Sequence, residues 1–255
     1  MNMKRYFYLV ISIFIISCGK NSPTSDLQLE KWNGKIKTIT TSTFFYDSTK
    51  AAPHLGKLIN KSIREFNVDG NEISYTFINE SDELESIRKN SFNADQLKSE
   101  SKETDKEGNL LYSTIYKYDK KKNLVEISTT EHATSSVIKQ INLFDEKNNL
   151  ISSTGYKGNN EIDFMATNKY DQKNQLIEEL IYLADSTLDY RAVNDYDDKG
   201  RLIKNTGFAK DSTRLWELKY DYKVFDKEGN CLLKEVYRDS VLIKVEQVQI
   251  EYHPQ

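Results

Sequence analysis

Carboxylates and tyrosines are the side chains that could do chemistry in this 255-residue chain, which carries 39 Asp and Glu and 16 Tyr against three His and two Cys. Asp119, Asp145, Asp171 and Asp197 recur every 26 residues, and Asp226 follows slightly late. Regular acidic residues suggest calcium or glycoside chemistry. A calcium loop needs alternating oxygen ligands within one loop, which these segments lack. Glycoside hydrolysis needs two carboxyl groups about 5 or ~6.5–9.5 Å apart in a cleft. His54, His132 and His253 show no metal-ligand spacing. There is also no phosphate-cradling glycine loop, nucleophile elbow or zinc-binding helix. A non-enzymatic protein without cofactor or metal is the expectation. The aromatic residues are the stronger candidates: Tyr116 with Tyr118, and Tyr220 with Tyr222, alternate along strands and could stack on sugar rings or a protein partner.

The acidic positions belong to a phrase of aromatic, Asn or Asp, two polar residues, then Gly or Asn. It occurs at Phe66-Asn67, Phe92-Asn93, Tyr118-Asp119, Phe144-Asp145, Tyr170-Asp171 and Tyr196-Asp197, and three residues late at Phe225-Asp226. The Asx side chain accepts from the backbone two residues on, and Gly70, Asn148, Asn174, Gly200 and Gly229 suit the left-handed slot that closes a three-residue hairpin. Lys122 is an exception there, and the second unit, Phe92 to Leu97, reads one residue short. Across each hairpin the aromatic faces Leu124, Leu150, Leu176, Leu202 or Cys231, a pair type that steadies antiparallel sheet by roughly 0.2–1 kcal/mol. Glu72 faces Phe66 instead. Because 26 is even, all aromatics share one face. A second turn series near residues 79–82, 105–109, 157–160, 184–187, 210–213 and 238–240 makes each repeat two strands. About fifteen strands at ~4.8 Å would span roughly 70 Å, so the sheet must roll, coil or split. Gly155 and Gly207, two repeats apart, are read as bending points. Residues 82–90 fit strand better than helix.

These elements sit behind a targeting segment. Lys4 and Arg5 precede an apolar run from Tyr6 to Ile16, too short for a spanning helix. Ile15-Ile16-Ser17-Cys18 resembles the lipobox of bacterial lipoproteins, which implies a signal peptide over 1–17, acylation of Cys18 and a tether over 18–31. Gly19 after the Cys implies, by the same resemblance, the outer membrane, with the body facing periplasm or medium. A single β-repeat domain then covers 32–255. Removing Lys4 and Arg5 shifts the net charge from −3 to −5, which leaves no nucleic-acid footprint. With Cys18 acylated, Cys231 has no disulfide partner and reads as a small buried residue. Residues 50–60, with Pro53, His54 and Gly56, break the rhythm as an irregular insertion.

The units Tyr118 to Leu124, Tyr170 to Leu176 and Tyr196 to Leu202 resemble the YD repeat of the rearrangement-hotspot (Rhs) and teneurin-like proteins, over about Phe66 to Tyr252. That resemblance implies an all-β, antiparallel meander of 26-residue hairpins that curls or spirals, in a small lipoprotein member of the family. The longer repeat, the few copies and the lack of a toxin domain after Tyr252 set it apart, so encapsulation is not implied. The resulting expectation is an outer-membrane lipoprotein whose partners are the membrane, through its lipid, and a glycan or another envelope protein. The alternatives are an envelope polysaccharide-acting enzyme with paired carboxylates and a structural or assembly factor. Asp47-Ser48-Thr49, Asp185-Ser186-Thr187, Asp211-Ser212-Thr213 and Asp239-Ser240-Val241 resemble a short O-glycosylation sequon of exported bacterial proteins, with Ser48, Ser186, Ser212 and Ser240 as acceptors.

Overall fold

The computed structural model describes residues 25–47, 54–158 and 160–254. The signal segment, Cys18 and Ser48 lie outside the described residues. A single helical turn, α1 (Asp26–Leu29), precedes sixteen strands. The first eight are β1 (Ile36–Asp47), β2 (His54–Phe66), β3 (Glu72–Ile78), β4 (Leu84–Phe92), β5 (Lys98–Asp105), β6 (Leu110–Tyr118), β7 (Leu124–Glu131) and β8 (Ser136–Phe144). Then follow β9 (Leu150–Lys157), β10 (Glu161–Tyr170), β11 (Leu176–Leu183), β12 (Leu188–Tyr196), β13 (Leu202–Ala209), β14 (Arg214–Phe225), β15 (Cys231–Arg238) and β16 (Val241–Tyr252).

Every strand pairs antiparallel with its sequence neighbour, and β16 pairs with β1, for example Phe44 with Val245, so the meander closes into a barrel. This corrects the expected spiral. Between Asn142, its partner Ser153 and Ser153's partner Ala166, the repeat-equivalent Asn168 lies two residues further along. Two residues of stagger per two strands is the tilt that a closed barrel requires. Around the wall it places all repeat-equivalent residues at one height, roughly 12 Å apart by strand and residue spacing. The strand count exceeds the expected fifteen because the turn at residues 132–135 was not recognised. Residues 82–90 are strand, as expected, within β4.

The phrase behaves as its turn chemistry dictates. Asp145 Oδ1 accepts from the backbone N–H of Lys147 and Asn149, both at 2.8 Å, and Asn148 takes φ 63°. Phe144 pairs with Leu150, Tyr170 with Leu176 and Phe225 with Cys231. The second unit is not short: Phe92 pairs with Lys98, and Gln96 fills the left-handed slot at φ 60°. Residues 54–60, expected as an irregular insertion, form the first half of β2.

Residues 25–31, expected as tether, instead cross one end of the barrel. Ser25 caps α1 in a capping box with Gln28. Leu27 N–H donates to Gly70 O at 3.1 Å, Lys31 Nζ reaches Gly200 O at 3.1 Å, and Asn33 N–H reaches Asn230 Oδ1 at 2.8 Å. Those three partners belong to the β2–β3, β12–β13 and β14–β15 turns of the rim. Leu27 buries against Ile36, Ile39 and Phe66, with Trp32, Ile250 and Tyr252 around them. The face that carries Phe66, Ile39 and Ile250 is therefore the inside.

Candidate functional site

The interior is layered by the repeat. Nearest the plugged end is the aromatic ring. The hydroxyls of Tyr118, Tyr170, Tyr196 and Tyr222 donate to the carbonyls of Lys98, Leu150, Leu176 and Leu202, at 3.0, 2.9, 2.9 and 2.9 Å. Each ring thus bridges from its own hairpin to the preceding one. Burial pushes the hydroxyls of Tyr170, Tyr196 and Tyr222 up to about 12. Tyr222, not Phe225, continues the 26-residue phase.

One step further in lies an amide layer. Asn90, Asn142, Asn168 and Asn194 each donate a side-chain N–H to a carbonyl, of Glu72, Leu124, Leu150 and Leu176 respectively. Their side-chain oxygens accept from the residue across the strand: Ser101 to Asn90 at 2.6 Å, Ser153 to Asn142 at 2.7 Å, Asn205 to Asn194 at 2.8 Å. In the remaining copy the partner of Asn168 is Glu179, and the buried Asn168 Oδ1 has no donor. Burial alone raises the Glu179 carboxyl above the usual range. A protonated Glu179 supplies the donor type that the other copies use.

One cluster of interior charges lies beneath the plug. Glu72 lies between Arg64 at 2.6 Å and Arg88 at 3.2 Å, and Arg64 also reaches Glu30 at 2.5 Å. Burial pushes the Glu72 carboxyl up, but Arg64, Lys98 and Arg88 together hold it below its ordinary value. This carboxylate is locked to guanidinium groups and serves structure.

The predicted aromatics are all on the inner face, in two separated pairs on β6 and β14. Tyr116 exchanges a hydrogen bond with Ser101 at 3.0 Å, and Tyr220 receives the Lys234 ammonium over its ring at 5.8 Å. Tyr220 also touches a cleft of about 530 Å³ on the outer wall, lined by Asp195, Lys204, Lys219 and Asp221. Ser186, Ser212 and Ser240 are exposed at turn tips, in left-handed slots with φ 66°, 66° and 70°. No group of three or more His, Cys, Asp or Glu poised for a metal occurs among the described residues.

A second repeat column escaped the sequence reading. Tyr112, Ile138, Phe164, Tyr190 and Trp216 are 26 residues apart, and their registers place them on the inner face near the unplugged end. A Cβ at Gly155 would stand 2.2 Å from the Phe164 ring, and one at Gly207 2.2 Å from that of Trp216. Those glycines are seats for rings rather than bending points. Trp216 donates Nε1–H to Asn205 Oδ1 at 2.7 Å and meets Tyr190 edge to face, with centroids 5.3 Å apart.

The outer wall is charged along its strands. Lys117 and Lys139 pair with Glu126 at 2.7 and 3.3 Å, Lys169 and Arg191 with Glu178 at 2.5 and 3.4 Å, and Lys204 with Asp195 at 2.6 Å.

A family model described as an uncharacterised protein matches residues 163–253. No curated protein matches. Among solved structures, a porin-like protein from Bacteroides uniformis ATCC 8492 shares the barrel fold, with a TM-score of 0.59 at 10% identity, covering 86% of this chain and 99% of that one. The Photorhabdus luminescens Tc holotoxin pore aligns at a TM-score of 0.33 and 11% identity, over 84% of this chain but 16% of that one.

Proposed function

We propose that this chain is a lipid-anchored outer-membrane protein whose barrel stands in water and binds a glycan or another envelope protein at its unplugged mouth, without catalysis. The observation that carries the reading is the contrast between the ends: one is crossed by residues 25–33 over a buried apolar cluster, and the other leaves apolar inner side chains open to solvent. The solved relative is described as porin-like, and a pore would need a lipid-facing wall and two open mouths. Ion pairs on the outer strands argue against lipid, because one Lys or Arg at the bilayer midplane costs about 2–4 kcal/mol. The lipobox-like segment supplies the anchor instead. Seven residues from Cys18 to Ser25 reach at most roughly 24 Å, which turns the plugged mouth toward the membrane and the other away from it. The YD-like hairpins serve as wall, with their Asp residues occupied in turns.

The test is photo-crosslinking in intact cells from Ser212, on the unplugged rim, and from Lys121, on the plugged rim, alongside a glycan array with the purified chain. Capture from Ser212 but not Lys121, or specific glycan binding without cleavage, is expected. Equal capture at both rims with no glycan bound, or glycan cleavage, would contradict the reading.

A further inference from the structure

Five successive hairpins, from β6 to β14, each contribute one large apolar side chain to the same height of the inner wall: Tyr112, Ile138, Phe164, Tyr190 and Trp216. They form an arc over half the barrel's circumference, just inside the unplugged mouth. Solvent reaches it: Ile138 is 52% exposed and Tyr112 38%, and the neighbouring inner residue Leu183 is 44% exposed. At sixteen strands a barrel is wide enough that side chains no longer fill it and water occupies the lumen. Exposed apolar groups arranged on a repeat are a binding feature rather than scatter.

The ring geometry narrows the ligand. Phe164 and Trp216 on the inner wall lie against Gly155 and Gly207, in space that a Cβ would fill, which holds each ring close to the wall. Trp216 is further fixed by its Nε1–H bond to Asn205 and its edge contact with Tyr190. Rigid rings held close to a wall are stacking platforms. Immediately deeper lie Gln140, Asn142, Glu179 and Asn194, hydrogen-bonding groups that an acyl chain would bury at a cost. A sugar ring offers both an apolar face to stack and hydroxyls for a polar layer. Glu103 and Glu131 flank Tyr112 across its strands and disfavour an acidic chain. We infer that the arc is a stacking site for a neutral glycan chain that enters by the unplugged mouth. This rests on the binding function above and names its ligand.

Trp32 and Trp216 are the only tryptophans, and Trp32 packs beside the plug. In a Trp32→Phe chain, purified whole in detergent, Trp216 emission reports the arc alone. Titrations with cellohexaose, maltohexaose and xylohexaose are compared with a hyaluronan hexasaccharide. At least one neutral hexasaccharide is expected to shift the emission and saturate, with the acidic one weaker. Tyr112→Ala and Ile138→Ala, which leave both seated rings in place, are each expected to weaken that binding about tenfold, with unchanged circular dichroism. Emission unmoved by all three neutral chains, preference for the acidic chain, or unchanged affinity in both variants would overturn the inference. If it fails while crosslinking from Ser212 persists, the binding mouth stands and its ligand is not a neutral glycan. If both fail, the binding function falls too.

Discussion

The two rims of the barrel are made by the same hairpin repeat and finished in different ways. On the plugged rim the Asx turns repeat with one geometry and touch their neighbours: Asn123 Nδ2 reaches Asn148 Oδ1 at 3.4 Å, and Asn149 Nδ2 reaches Asn174 Oδ1 at 3.3 Å. On the other rim turn types vary. The turns at 105–109, 183–187 and 209–213 keep the backbone geometry of the plugged rim, with Gly108, Ser186 and Ser212 in the left-handed slot, whereas β7 and β8 are joined by residues 132–135 and β15 and β16 by Asp239 and Ser240 alone. Uniform turns laid side by side can be covered by one short segment, and dissimilar ones leave the wall behind them open. Packing across the rim is therefore concentrated at one end, and the proposed recognition falls to the other.

The largest expected effect lies under the plug. Glu72→Ala removes the buried carboxylate that Arg64 and Arg88 share, leaving Arg64 only Glu30, and is expected to cost about 3 kcal/mol, read from urea unfolding. Next comes the ring seat at the other end: Gly207→Ala forces the Trp216 ring away and is expected to cost about 1–3 kcal/mol, with a changed Trp216 emission. A smaller contrast separates the rims. Asp145→Ala removes acceptors for two backbone N–H groups and for Asn149 Nδ2, and is expected to lower stability by about 1 kcal/mol. Asp211→Ala, which takes one N–H bond from Thr213, should change the melting temperature less. Equal losses would erase the distinction between rims.

Titration should show both signs. The Glu72 carboxyl is held low by its three cations and Asp145 by the amides it accepts from, against the opposing effect of burial. Their stabilisation is full above the ordinary carboxylate range and lost as pH falls through their depressed values. Glu179, raised by burial, acts oppositely. Stability declines as pH rises from the ordinary carboxylate value to the raised one, because the unfolded chain gives up its proton first. Glu179→Gln should abolish that decline and place an amide N–H across the strand from Asn168. An unfolding free energy whose slope just above the ordinary carboxylate value is unaltered in this variant would refute the assignment.

The hairpins were legible because local turn chemistry and cross-strand pairing repeat in sequence: Asx at the turn, aromatic before it, aliphatic after it. Closure was not, since the meeting of β1 with β16 depends on stagger summed over every strand. The second column was hidden by its variety, Tyr, Ile, Phe, Tyr and Trp, which shares size and phase but no residue type. Gly155 and Gly207 were noticed for backbone freedom when their role is the space they leave for rings. The plug was missed because Ser25 to Lys31 gains its order from partners as distant in sequence as Gly200 and Asn230. Tyr118 and Tyr222 were singled out as stacking residues for a ligand, and the structure commits their hydroxyls to the wall.

The most direct measurement of the difference between the mouths is thiol labelling with a bulky maleimide, in a Cys231→Ser background, of Ile138→Cys on the arc and Ile39→Cys beneath the plug. The expected result is labelling of position 138 at the rate of an exposed thiol, with position 39 labelled only as fast as the protein unfolds. Comparable rates at the two positions, in folded protein, would contradict a barrel with one sealed and one open end.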